Sequence, residues 1–143
     1  SWPAKIKPGS RSASLVSNLD LPATVLGAAG VTPPRAYDAE DLCPIMTGKK
    51  DAVRDRLILQ HHGDFSLTNF QRLLRWDRYK YVAHLDDRDE LFDLEEDPYE
   101  LTNRVDDASQ TAVIRNMRRM LIDGMDRFDD HAEQARKLRK QLT

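Results

Sequence analysis

Four kinds of side chain in this 143-residue chain could do chemistry: adjacent imidazoles, a lone thiol, a dense run of carboxylates and a comb of arginines. His61 and His62 adjoin in "QHHGDF", with Asp64 close behind. Imidazole exchanges protons near neutral pH more readily than any other unperturbed side chain. Successive residues of an extended strand point to opposite faces, so the two cannot serve one site while the backbone stays extended. Gly63 offers the chain a turn, and loops at strand ends carry function. One of the histidines is therefore expected to line a polar ligand pocket, the plainer alternative being a capped or solvent-facing ring. No second His/Cys cluster at zinc spacing accompanies them.

Cys43 precedes Pro44 and has no histidine nearby in sequence, so it is expected as a half-buried small residue and not as an activated nucleophile. No G-x-S-x-G or P-loop places a Ser-His-Asp set or a phosphate cradle. The carboxylates of "DDRDELFDLEED" have the density of a calcium loop but not its spacing. Counted from Asp87, the fifth position is Leu91; counted from Asp93, the sixth is Pro98 and the twelfth is Arg104. That stretch is expected to be a strand end whose apolar residues pack and whose carboxylates face water. Arg115, Arg118, Arg119 and Arg127, with Arg136, Lys137, Arg139 and Lys140 beyond, are interrupted by aspartates and lack interleaved aromatics. In a chain of net charge −2 they read as a solvated helix face and not as a phosphate-binding stripe. The residues alone thus supply no self-sufficient catalytic or metal site.

These groups need elements to position them. Hydrophobic content of 40%, charged content of 32% and a mean hydropathy of −0.65 describe a globular but polar chain. Neither nucleic acid nor a membrane is expected as a partner. A single cysteine excludes an internal disulfide and says nothing of compartment. The opening "SWPAKIKPGS", without an initiator Met, reads as an exposed connection within something longer. Asp20 is expected as the N-cap of a helix over about 20–29, with Pro22 in its first turn, Gly30 at C′, and Leu21, Val25, Leu26 and Ala29 on one apolar face. Residues 31–55 read as an irregular loop holding at most one helical turn near Asp41–Met46. "RLILQHH", "FQRLLRW", "YKYVAHL" and "ELFDL" are four strand-like runs, the second and third joined by a tight Asp77-Arg78 turn. Val113, Ile114, Met117, Met120, Leu121, Met125 and Phe128 recur at helical spacing, and the sparser pattern after Phe128 reads as a helix extension or a frayed end. The expectation is an α+β fold: a connecting segment over 1–55, then a four-stranded antiparallel sheet with a C-terminal helix over 56–143. Such a sheet keeps one face free, either polar or covered by something outside the chain.

Three motifs in order resemble the formylglycine-dependent sulfatases of the alkaline-phosphatase superfamily. "WPAKIKPGS" is similar to their W-P-G-K-I-K-P-G segment. "LVSNLDLPATVLGAAGVTPP" resembles the following V-S-x-x-D-x-x-P-T helix, with Pro22-Ala23 ahead of Thr24. "RYKYVAHLDDRDELFDLEEDPYELTN" resembles the K-Y…E-L-Y-D-L-x-x-D-P-x-E-x-x-N ending, with Phe92 for the commoner Tyr. The resemblance implies the smaller C-terminal subdomain of such an enzyme, not catalytic alone. It implies calcium or magnesium and formylglycine in a large N-terminal catalytic domain, which would be the partner of this chain. Cys43 departs from Cys/Ser-x-Pro-Ser/Ala-Arg, since Pro44 comes one place early and Thr47 stands where Arg is needed. On this reading His61, His62 and Asp64 form the rim that recognises a sulfated small molecule or carbohydrate. Two other readings stay open: the same subdomain of a phosphodiesterase or phosphonate hydrolase, or a free-standing binding module. Self-association through exposed surface is a further expectation.

Overall fold

The computed structural model describes residues 2–32, 38–63 and 69–143, and the chain divides after Leu57 into two compact units. The first unit holds α1 (Asp20–Ala29) and α2 (Cys43–Met46). α1 starts and stops where the sequence says: Pro22 occupies the first turn, and Gly30 ends the helix at φ 68°, giving its N–H to Gly27 O. Two expectations about α1 are corrected. Asp20 is the first helical residue and not the cap, which is Leu19. Its carboxylate instead accepts from the backbone N–H of Ser17 and Glu40 and from both terminal nitrogens of Arg54. The buried face is accordingly Asp20 and Thr24, whereas Leu21 and Val25 are 60% and 67% exposed. A fully buried carboxylate needs donors on every lone pair, and that requirement sets how α1 faces its own unit. Thr24 Oγ1 continues the stitching, donating to Asp20 O and accepting from Leu42 N.

The second unit, Ile58–Thr143, carries most of a sheet in the order β1 (Arg56–His62), β2 (Phe70–Trp76), β3 (Tyr79–His84), β4 (Glu90–Asp93). β2 and β3 pair antiparallel from Gln71↔His84 to Trp76↔Tyr79, and β3 pairs antiparallel with β4 from Tyr79↔Asp93 to Val82↔Glu90. Asp77 takes φ 50° in the two-residue turn, a conformation that Asp tolerates better than most residues. After a short 3-10 turn, α3 (Thr111–Arg127) crosses β2, and α4 (Glu133–Leu142) packs on α3 and β3. α4 corrects the expected tail. It is neither an extension nor a frayed end but a separate helix that buries Ala135, Leu138 and Leu142, set off by a break where Asp129 adopts φ 50°.

Leu74, Tyr81 and Leu91 from the sheet meet Met117, Leu121 and Met125 from α3 and Leu138 from α4, all fully buried. Each such side chain contributes roughly 1.5–3 kcal/mol by leaving water. Gly124 lets α3 approach β1, because a Cβ there would lie 1.8 Å from Ile58 Cδ1. On the other sheet face Val82 and Phe92 are also buried, with Lys80 Nζ 5.8 Å from the Phe92 ring centre.

Candidate functional site: the end of β1

His61 and His62 are the last residues of β1, both exposed, and Gly63 follows at φ 81°. Asp64, expected beside them, lies outside the described residues. The two imidazoles occupy successive strand positions and so leave opposite faces of the sheet edge. What fixes this end is a residue that sequence reasoning passed over. Arg72 on β2 is fully buried, and it donates to His61 O at 3.1 Å and to Gln71 O at 2.7 Å. Its other nitrogens form a fork on Asp130, at 2.6 and 3.0 Å, reaching 58 residues along the chain to the α3–α4 junction. Phe70 lies between the two sets of groups. The Arg72 guanidinium carbon is 3.9 Å from its ring centre, and the His62 ring meets it edge-on at 5.5 Å. The backbone of His61 and the ring of His62 are thus held by one Arg–Phe–Asp cluster.

A signal for this cluster existed in the sequence. Strand alternation puts Phe70, Arg72 and Leu74 on the same inward face, so an arginine there demands a buried carboxylate. Nothing in the sequence says that Asp130 supplies it. The arrangement presents two exposed imidazoles on a rigid mount.

The remaining candidates are structural. Cys43 is half-buried, its sulfur 3.8 Å from Thr24 O, and the neighbouring Asp41 carboxylate together with burial pushes the thiol up. That is the opposite of an activated nucleophile. Among the described residues no three His, Cys, Asp or Glu side chains come together to hold a metal ion. The acidic stretch faces water only in part: Asp86, Asp87, Glu95 and Glu96 are exposed as expected, but Asp89 and Asp93 are buried. Asp93 is 2% exposed and paired with Arg78, whose fork holds its carboxyl below the usual range. Asp89 is buried on Tyr81 and Arg118, Glu100 pairs with Lys80, and Asp97 accepts from Thr102 N. Asp93, Asp97 and Glu100 brace the loop leading from β4 to α3, and Asp89 ties the β3–β4 turn to α3.

Residues 1–127 match the family described as "N-sulphoglucosamine sulphohydrolase, C-terminal". The chain is 35% identical over 111 residues to arylsulfatase K of Xenopus laevis, an alignment that covers 69% of this chain and 20% of that protein. A solved 2-O GAG sulfatase superposes with a TM-score of 0.70 at 28% identity, over 78% of this chain and 25% of the other. A protein solved in complex with its substrate D-glucosamine-2-N,6-O-disulfate shares the fold at a TM-score of 0.82 and 21% identity, over 92% of this chain and 28% of the other. The chain therefore spans between 20% and 28% of the length of these proteins.

Proposed function

Because this chain belongs to the N-sulphoglucosamine sulphohydrolase C-terminal family of sulfatases, we propose that it forms the part of a sulfate-ester hydrolase that borders the substrate pocket. The observation that carries this reading is the family match over residues 1–127. The chain's own contribution is binding. His61 and His62 leave opposite faces of a strand end clamped by Arg72, so one of the two exposed imidazoles faces the pocket and donates to or accepts from hydroxyl and sulfate oxygens of a sulfated sugar. Asp64, next along the chain, adds an acceptor for sugar hydroxyls. In such an enzyme formylglycine and a calcium or magnesium ion supply the sulfur chemistry. The described residues do not fit either group, since Cys43 lies outside the required motif and no metal-ligating cluster forms. Both belong to the catalytic domain that this chain completes.

Replacing His61 and His62 in turn with Ala in the full-length enzyme is expected to raise KM roughly 5–30-fold for the one on the pocket side and to leave the other near wild type, with kcat little changed, as loss of one or two uniform hydrogen bonds requires. Paired assays on a sulfate ester and the matching phosphate ester test the chemistry. Preference for the phosphate ester would overturn the sulfatase reading, and an unchanged KM in both variants would overturn the rim.

A further inference from the structure

The second unit contains a cleft of about 570 Å3 beside α3, away from the β1 end, and nothing in the reading above uses it. Its lining includes the apolar Ile114, Ile122 and Leu142 together with Arg115, Arg118 and Arg119. None of its nine lining side chains is acidic, and the main-chain carboxylate of Thr143, also in the lining, forms no ion pair with the arginines, in a chain with 24 acidic residues against 22 lysines and arginines. The sequence predicts a solvated helix face here, but the three arginines are not equivalent. Arg118 is pinned: Nε donates to Tyr81 Oη at 2.8 Å and a terminal nitrogen donates to Asp89 at 2.8 Å. Tyr81 and Asp89 are themselves buried and bonded to each other, so the arginine's position is set by the core. Its charge is largely answered by Asp89. Arg119 donates at 2.7 Å only to the neutral Asn116 Oδ1, and among the described residues neither it nor Arg115 has a carboxylate partner. At positions i, i+3 and i+4 the three side chains share one face of the helix. Two unanswered guanidinium groups therefore share the lining with apolar side chains.

We propose that this cleft is an accessory binding site for a sulfated sugar ring, separate from the His61–His62 rim. Guanidinium forks match the oxygens of a sulfate and remain charged at any accessible pH. The C–H face of a pyranose suits an isoleucine and leucine lining, and the volume lies within the range of small-ligand sites. The choice of a sulfated sugar over other ring-bearing anions rests on the sulfatase reading; the charge and shape of the cleft do not.

The test is residue-resolved amide-shift titration of the 143-residue chain with N-acetylglucosamine 6-sulfate, N-acetylglucosamine and inorganic sulfate. Saturable shifts over residues 111–122 with the sulfated sugar alone are expected. They should weaken at least tenfold in R115Q/R119Q, whose altered side chains are exposed, and persist in H61A/H62A. Circular dichroism checks that both variants fold. Absence of shifts in this region, or shifts that survive R115Q/R119Q, overturns the site. Equal affinity for inorganic sulfate overturns the sugar assignment. Shifts confined to residues 61–63 would sink the accessory site and leave the rim standing, so the two readings fail separately.

Discussion

Asp20 concentrates the first unit's stability in one carboxylate. Its side chain is fully buried, meets Arg54 at 2.6 Å, and is held at about pKa 2, chiefly by that guanidinium and then by the Glu40 and Ser17 amides working against burial. A carboxyl whose folded value lies below its unfolded value stabilises fully above the unfolded pKa, near 4, and loses that contribution as pH falls toward 2. The increment amounts to about 1–2 kcal/mol once screening at the Arg54 side is allowed for. Amide exchange at Glu40 and Ser17 should therefore accelerate between pH 4 and 2.5 in the wild type. In Asp20→Asn it should already be fast at pH 6, because an uncompensated buried Arg54 costs about 3–5 kcal/mol. A variant as protected as the wild type at pH 6 would sink the assignment. Residue by residue, the sequence was legible where one principle ruled and misleading where two competed. Asp20 before Pro22 looks like a cap by local rules, but Arg54, 34 residues away, takes the carboxylate. Arg72 announces itself as an inward-facing charge, yet its partner Asp130 is a contact of the folded chain only.

The elements were more legible than the contacts between them. All four strand runs and α1 appear within a residue of their sequence signals, since alternation and turn residues are local properties. The α3–α4 break was not legible. Ala135, Leu138 and Leu142 keep helical spacing after Phe128, so the period alone cannot say that the axis changes at Asp129. Gly124 shows the same limit. In sequence it is a helix-weakening residue, and in the fold it is the space that Ile58 fills. Gly124→Ala should gain about 1 kcal/mol of helix propensity and lose about 1–3 kcal/mol by overpacking. The expected result is a net loss of about 1 kcal/mol. Ile58→Val removes Cδ1, the atom that a Cβ at 124 would strike at 1.8 Å. The double variant should therefore be more stable than the sum of the singles by about 1 kcal/mol, measured by urea denaturation. Strict additivity would show that Gly124 is not there for Ile58.

At the scale of the whole molecule, the two units spend their apolar residues differently. The second buries its own in one cluster with α3 and α4. The first buries chiefly Asp20, Thr24 and Leu42, and leaves Val16, Leu19, Leu21, Val25 and Val31 between 47% and 67% exposed. Leu21 and Val25 stand one turn apart on α1, so they share a face. Scattered exposed apolar residues are ordinary, but a cluster on one short unit marks a surface that meets another. The relatives devote about four-fifths of their length to sequence this chain does not span, and a catalytic domain is the occupant that the proposed function supplies. Alone, the chain should then associate through α1. Sedimentation velocity at rising concentration should show dimers or larger species, together with bound apolar dye. Leu21→Glu combined with Val25→Glu should abolish both effects at unchanged helix content, because neither side chain contributes to the buried set of its unit. In the full-length enzyme the same pair should loosen the chain from its catalytic domain and lower activity, while substitutions at Tyr99 and Leu101, more exposed still but on the β4–α3 loop, should not. A monodisperse wild-type monomer that binds no dye would instead favour a free-standing binding module, and would remove α1 as the docking face.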